Sequence, residues 1–220
     1  MENKLWLLVI VVLAAALIFA GCNKRAERRH AEAAREFNEL LATIAAGGTR
    51  SETDPTQSYE TGPAGGIVFY DKGDYDGGWR YLEAAPEGND LRALWGAYEV
   101  DVTGTETGIG TGKRNTEIIL EYLKETGETG MAAQLCDELT VNGFSDWFLP
   151  SLDELNLIYE NLFLRNIGGF LDGTYWSSSQ NDNNDEIKDM YAWGQYFADG
   201  RRTRGNLKEA TANVRAVRAF

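Results

Sequence analysis

Residues 146–155 read Asp-Trp-Phe-Leu-Pro-Ser-Leu-Asp-Glu-Leu and contain a complete signal for the start of a helix. Pro150 ends an extended segment, because its ring removes the backbone N–H and restricts the residue before it. Ser151 can cap the next helix, and Glu154 at the third helical position completes a capping box. This pattern accounts for Ser151, Asp153 and Glu154 without catalysis. The inward helical face is expected to contain Leu155, Ile158, Tyr159 and Leu162.

Apolar segments on both sides of this helix predict the remaining elements. Residues 67–70 form a continuous run of β-formers, typical of a strand buried on both faces. Asn115 is a credible N-cap for a helix over 116–125. Residues 102–112 are rich in glycine and threonine and predict a loop, without the spacing of a phosphate-binding loop. The other predicted elements are strands at 79–85, 175–179, 191–197 and 214–220, and a helix at 131–139.

The composition indicates one acidic globular domain. The chain has 220 residues, 43% of them hydrophobic, and a formal net charge of −13. An acidic surface argues against sequence-independent binding of nucleic acid, which requires Lys and Arg to neutralise phosphates. Large aromatic side chains suit a loop-rich domain, and Trp176 and Trp193 are expected in its core. Only Cys22 and Cys136 are present.

The first 21 residues resemble a lipoprotein signal peptide. Leu5–Ala20 is an uninterrupted apolar run, short for a bilayer span and near the upper limit for a signal-peptide core. Phe19-Ala20-Gly21-Cys22 resembles a bacterial lipobox, although Leu, Val or Ile is commoner than Phe at the first position. Cys22 is therefore the expected lipidation site, and its lipid is the expected membrane anchor. Positive charges directly after the run support the alternative of an uncleaved signal anchor. These are Lys24, Arg25, Arg28 and Arg29.

Residues 22–58 predict a helical tether and a linker. Apolar residues recur there at helical spacing, and Gly47-Gly48 provides a stop before a polar stretch. This stripe consists of Phe37, Leu40, Leu41 and Ile44. It leaves open an alternative function, a structural or assembly lipoprotein that oligomerises through its N-terminal helix.

Four motifs, in order, resemble the Lcl-type C-terminal domain family, a bacterial domain of unknown function with C-type-lectin-like character. They are Thr61-Gly-Pro-Ala-Gly-Gly-Ile-Val-Phe-Tyr, Asp146-Trp-Phe-Leu-Pro-Ser-Leu-Asp-Glu-Leu, Tyr175-Trp-Ser-Ser-Ser and Val214-Arg-Ala-Val-Arg. The resemblance covers residues 59–220. It implies an α+β fold with short antiparallel strands, flanking helices and long loops, in which the first and last strands pair. It also implies export, attachment at the cell envelope, and a role in adhesion or glycan binding.

Two features of C-type lectins are missing from the sequence. With Cys22 acylated, no intramolecular disulfide can form. The Glu-Pro-Asn and Trp-Asn-Asp patterns that ligate calcium for sugar binding do not occur. No metal site is therefore assigned from the resemblance.

The first candidate ligand-binding group is an oxygen-rich run that follows the strand predicted at 175–179. It contains Asn181, Asp182, Asn183, Asn184 and Asp185. Calcium takes six to eight oxygen ligands, so the composition is compatible with calcium, but the run lacks the spacing of a calcium-binding loop. A solvated hairpin loop explains the same composition.

The second candidate group consists of Tyr196, near the end of a predicted strand, and residues of the adjoining segment 198–210, which is predicted as loop. It contains Tyr196, Asp199, Arg201, Arg202 and Arg204. Clustered arginines in an acidic domain could bind carboxylated or sulfated glycans through bidentate contacts. A solvated loop that balances neighbouring acids is the alternative.

The residue inventory does not indicate an enzyme. His30, the sole histidine, lies in the tether, and Ser177–Ser179 have no base visible in the sequence. Cys136 is expected to be a buried hydrophobe. A carboxylate pair for glycoside hydrolysis stays open, because its geometry is invisible in sequence. We therefore expect a lipid-anchored, non-enzymatic envelope protein, facing the periplasm or exterior, that binds an extracellular glycan or protein through C-terminal loops.

Overall fold

The computed structural model of the chain describes residues 59–181 and 188–220. Within these residues, eight strands, three α-helices and three short 3-10 helices form a mixed domain, which confirms the α+β part of the prediction. The strands are β1 Ile67–Asp71, β2 Tyr81–Ala84, β3 Leu91–Ala93, β4 Thr174–Gln180, β5 Tyr191–Tyr196, β6 Arg201–Leu207, β7 Ala212–Val214 and β8 Val217–Ala219. The helices are α1 Gly112–Thr126, α2 Ala132–Asp137 and α3 Leu152–Asn161, and the 3-10 helices are Asp76–Gly78, Phe163–Arg165 and Lys188–Met190.

The strands form two sheets. One has the order β1-β2-β8, and the other has the order β3-β7-β4-β5-β6. All pairings are antiparallel except β4 with β7. The last strand pairs with β2 and not with β1, so the expectation that the first and last strands pair is wrong. β1 is an edge strand with one buried face, because Ile67 and Phe69 are buried while Val68 and Tyr70 are half-buried.

The segment 146–150 joins the two sheets. Phe148 exchanges both backbone hydrogen bonds with Val217 of β8, each 2.9 Å, and the Pro150 carbonyl accepts a bond of 2.7 Å from Ser178 N of β4. Successive side chains of an extended segment point to opposite sides. Trp147 therefore packs into one apolar cluster, with Trp95 and Trp176, and Phe148 into the other. This short segment therefore contributes side chains to both apolar clusters.

The predicted capping box of α3 is confirmed. Ser151 Oγ accepts a hydrogen bond from Glu154 N at 3.3 Å, and Glu154 Oε2 accepts one from Ser151 N at 2.8 Å. The prediction for α1 was wrong at its start. The helix begins at Gly112, and Asn115 is a buried residue within its first turn instead of its cap.

The terminal motif Val214-Arg-Ala-Val-Arg provides two buried cations with structural partners. Arg215 is 1% exposed, pairs with Asp90, and donates to the carbonyls of Ala85 at 3.0 Å and Gly168 at 3.1 Å. Arg218 donates to Glu83 Oε1 at 2.9 Å. Glu83 also accepts the amide of Gly66 at 3.0 Å, so the first and last family motifs meet at one buried carboxylate.

Several predictions concern residues outside 59–181 and 188–220, and others are wrong. The signal peptide, Cys22 and the tether helix lie in residues 1–58, outside the described residues. Among 59–181 and 188–220, no helix is both long and apolar enough to span a bilayer. The predicted loop 198–210 is wrong, because most of it is β6, an edge strand paired with β5. Trp176 is 1% exposed, as expected for a core residue, but Trp193 is half-buried.

Candidate functional site

A glycine-rich loop, residues 101–111, is held in place by side chains of the family motifs. The Glu106 carbonyl accepts hydrogen bonds from Asn115 Nδ2 at 2.6 Å and from Ser179 Oγ at 2.8 Å. Glu106 N donates to Asn115 Oδ1 at 2.9 Å. The Gly108 carbonyl accepts Ser151 Oγ at 2.8 Å. Buried polar groups from α1, α3 and β4 therefore fix the backbone of this loop.

Glu154 joins the same loop to the starts of α1 and α3. Its side chain is fully buried, and besides Ser151 N it accepts Gly110 N at 2.8 Å. Burial raises the pKa of Glu154 to about 7, while hydrogen bonds from the amides of Ser151, Gly110 and Gly112 act in the opposite direction. Gly110 has a φ of 90°, in the left-handed region that favours glycine. At Gly112 an added Cβ would overlap the Glu154 carboxylate.

A cavity of about 180 Å³ opens where the loop meets the end of β4. Gln180 connects its walls through three hydrogen bonds. Gln180 N donates to Thr105 Oγ1 at 3.0 Å, Gln180 Nε2 donates to Asp101 Oδ1 at 2.6 Å, and Val102 N donates to Gln180 Oε1 at 2.7 Å. Asp101 also forms an ion pair of 2.6 Å with Lys188, which lowers the pKa of Asp101. The lining residues are Asp101, Val102, Thr103, Gly104, Thr105, Gln180, Asn181 and Lys188.

A buried lysine, Lys208, contacts a residue that lines this cavity. Lys208 is 0% exposed, and its Nζ donates to Gln180 Oε1 at 2.7 Å and to the Val100 carbonyl at 2.7 Å. It lies 4.7 Å from the ring centroid of Trp95. Burial lowers the pKa of Lys208 to about 8, against the nearby carboxylates of Asp189, Asp101 and Glu128, which raise it.

The lysine holds a turn with unusual backbone conformations. Ala97 has a φ of 50° and Glu99 a φ of 59°, and non-glycine residues in this region cost about 1–3 kcal/mol each. The Ala97 carbonyl accepts Lys208 Nζ at 3.1 Å, and the Ala97 amide donates to Glu128 Oε1 at 3.0 Å. Such strain persists only where surrounding contacts over-determine it, and it concentrates at functional sites.

The arrangement presents exposed polar groups on a fixed backbone, which suits binding of a polar ligand. Thr103 is exposed, and Asp101 and Lys188 place opposite charges at the cavity. Within residues 59–181 and 188–220, no cluster of three or more His, Cys, Asp or Glu residues could hold a metal ion. Cys136 is fully buried, and burial raises the pKa of its thiol.

Of the first group of predicted site residues, the structure describes only Asn181. Asn181 lines the cavity and is 5% exposed, while residues 182–185 lie outside the described part. Gln180 pairs with Ala192 at one end of β5, and Tyr196 pairs with Arg201 at the other end. At about 3.3 Å per residue, the two ends are on the order of 13 Å apart. Asn181 therefore lies toward the opposite end of β5 from Tyr196 and Arg201.

The second group is largely neutralised by its own neighbours. Arg201 Nε lies 2.7 Å from Asp199 Oδ2, and Arg202 Nη1 lies 2.9 Å from Asp153 Oδ1. The Arg201 guanidinium also lies 5.8 Å from the ring centroid of Tyr196. These contacts match the alternative of a surface that balances nearby acids. The Arg204 side chain lies outside the described residues.

The residues that frame the cavity were not predicted from the sequence, among them Asp101, Thr103, Lys188 and Lys208. One signal was present, the density of glycine and threonine over 102–112, but its only interpretation beyond a loop was a phosphate site. The burial of Lys208 had no sequence signal, since Lys is almost never fully buried unless paired.

Comparison with known proteins shows a family and a distant structural likeness. The model of the Lcl C-terminal domain matches residues 97–218, more than half of the chain. No curated protein matches it. Among solved structures, the chain is similar to a fimbrial protein from Bacteroides ovatus ATCC 8483, with 16% identity and a TM-score of 0.48. The alignment covers 70% of this chain and 44% of that protein, so the chain spans less than half of its length.

Proposed function

Because the chain belongs to the Lcl C-terminal domain family, we propose that it is a non-enzymatic, lipid-anchored protein of the bacterial cell envelope that binds an extracellular ligand. The ligand is a glycan or a protein, and the binding surface is the cavity formed by residues 101–105, Gln180, Asn181 and Lys188. The lipid is carried by Cys22. The lectin-like character and a role in adhesion belong to the same proposal.

The observation that carries this proposal is the rigidity of the cavity walls. Buried Lys208 and Gln180 hold the turn 97–102 from one side, and Asn115 and Ser179 hold Glu106 from the other. A site whose polar groups are fixed before binding loses less conformational entropy when the ligand arrives. Thr103 remains exposed at this frame and can contact a ligand without breaking it.

The roles of the reactive side chains favour binding over catalysis. The Cys136 thiol is buried and has a raised pKa, so it is a poor nucleophile. Glu154, whose pKa of about 7 would suit an acid or base, is occupied by backbone amides. Two serines of β4 donate to backbone carbonyls, Ser177 to Trp193 and Ser179 to Glu106, each at 2.8 Å, and Ser178 Oγ accepts Asn115 Nδ2 at 3.1 Å.

A binding screen tests the site. The purified protein is applied to immobilised glycans and extracellular matrix proteins, and each signal is repeated with Thr103→Ala/Lys188→Ala. Loss of a hydroxyl and a charge at the cavity should weaken binding about tenfold, since hydrogen bonds to charged groups contribute about 1.5–3 kcal/mol. Lys124→Ala is the control, because Lys124 is exposed near the end of α1.

The alternative location is tested in the same screen. If Arg201→Ala/Arg202→Ala/Arg204→Ala abolishes binding and the cavity variant does not, the ligand contacts the β5–β6 hairpin and the cavity assignment is wrong. If every variant binds as the wild type does, neither surface contacts the ligand.

Anchoring is tested separately. Metabolic labelling with a palmitate analogue should modify the wild type and not Cys22→Ala. Equal labelling of both proteins, or of neither, would contradict lipid attachment at Cys22 and favour the uncleaved signal anchor.

A further inference from the structure

A second and larger cleft, of about 250 Å³, lies on the other side of the glycine-rich loop. Its floor is apolar. Leu82 of β2 and Ala219 of β8 are cross-strand neighbours, and Phe148 is 3% exposed. Trp79 forms one wall, and the first turn of α1 forms the rim with Lys113, Arg114 and Glu117. The site is independent of the cavity assigned above.

The two cations at the rim of the cleft have no carboxylate partner among the described residues. Lys113 and Arg114 are exposed, and neither forms an ion pair with any residue of 59–181 or 188–220. Arg201 and Arg202, in contrast, are paired with Asp199 and Asp153.

Helix electrostatics do not explain these cations. Lys113 and Arg114 lie in the first turn of α1, where the positive end of the helix dipole disfavours cations by about 0.3–1 kcal/mol each. The helix start is already occupied by Glu154, which lies beneath the cleft and accepts backbone amides. An anion in the cleft would therefore be bound by the two side chains and not by the helix end.

The apolar floor of the cleft restricts the class of ligand that can bind there. Leu82, Phe148 and Ala219 offer no side-chain hydrogen-bonding group, whereas a sugar ring carries hydroxyls that must be matched when buried. The volume is below the range of about 300–1,000 Å³ that is typical of pockets for drug-sized ligands. It suits one apolar side chain of a polypeptide, inserted beside Trp79.

We propose that this cleft is a docking site for an acidic segment of a partner polypeptide. An aromatic or aliphatic side chain of the segment packs against the half-buried Trp79 and Ala219, above the buried Leu82 and Phe148, and a neighbouring carboxylate pairs with Lys113 and Arg114. Glu117, the one exposed carboxylate of the lining, makes the rim net positive by one charge and disfavours a second acidic group next to it.

A peptide probe tests the site. Binding of a tetramethylrhodamine-labelled peptide, Gly-Asp-Phe-Glu-Gly, to the full-length protein is measured by fluorescence anisotropy. We expect saturable binding with a Kd below about 1 mM, and no saturable binding of Gly-Asn-Phe-Gln-Gly. Lys113→Glu/Arg114→Glu should weaken binding of the acidic peptide at least about tenfold, since charge-assisted bonds are the strong ones. Trp79→Ala should weaken it as well.

Lys124→Glu is the matched control, because Lys124 is an exposed cation near the other end of α1. It should bind the peptide as the wild type does. Exposed substitutions should not change the melting temperature, which separates lost contacts from lost folding. Equal binding of the acidic and neutral peptides, or an unchanged Kd in the charge-reversed variant, would overturn the proposal. A further result would also overturn it. If glucuronic acid, but not the peptide, changed the tryptophan fluorescence, and this change were absent in Trp79→Ala, the cleft would be a saccharide site.

Discussion

Glu154 should make the stability of the domain depend on pH in a direction that its hydrogen bonds alone would not suggest. The carboxyl is fully buried, and its pKa is raised from 4.5 to about 7. The folded state therefore retains a proton on Glu154 at pH values where the unfolded chain has lost it. Its contribution to stability is complete below about pH 4.5 and declines as pH rises toward 7.

The magnitude follows from this interval. One pKa unit corresponds to about 1.4 kcal/mol, so Glu154 should contribute about 3 kcal/mol more to the free energy of unfolding at pH 4.5 than at pH 8. Glu154→Gln cannot titrate and isolates this contribution. Guanidinium unfolding, followed by tryptophan fluorescence, is measured for both proteins at pH 4.5, 6, 7 and 8. The wild type should gain stability relative to Glu154→Gln as the pH falls.

The opposite slope would refute the reasoning. The amides of Ser151, Gly110 and Gly112 all favour the carboxylate. If these bonds outweighed burial, the folded pKa would lie below 4.5 and the wild type would lose stability relative to the variant at low pH. Glu160→Gln is the matched control for replacing a glutamate by glutamine, because Glu160 is an exposed residue of the same helix.

Three further outcomes follow from the same contacts. Gly112→Ala should destabilise the domain by about 1–3 kcal/mol in chemical unfolding, because its Cβ would overlap Glu154, whereas Gly108→Ala, whose Cβ meets only Thr111 Cγ2 at 3.8 Å, should change stability by less than about 0.5 kcal/mol. The wild type should gain stability relative to Lys208→Met as pH rises from about 8 toward 10.5, because the lowered pKa of Lys208 favours the neutral amine in the folded state; a flat difference would contradict this. Cys136 should react with an excess of iodoacetamide only after unfolding, as mass spectrometry of native and denatured protein would show, and rapid native labelling would contradict its burial.

The elements that sequence predicted well are those whose signal is local. The capping box at Ser151 and Glu154 and the strand at Ile67 depend on neighbouring residues, and both were placed correctly. β6 was missed because Arg-Arg-Thr-Arg-Gly-Asn-Leu has no apolar alternation, and the strand is present because it pairs with β5. The start of α1 was missed because the tie between Gly112 and Glu154 spans distant parts of the chain.

The candidate site was less predictable for a related reason. Three residues of the recognisable motifs, Ser151, Glu154 and Ser179, direct their polar groups inward at the glycine-rich loop, as Asn115 of α1 does. A motif that builds a frame identifies the fold but leaves ligand contact to side chains outside the frame. Thr103 can change with small effect on stability, whereas loss of a buried partner of the loop leaves unsatisfied groups that cost about 1–3 kcal/mol each.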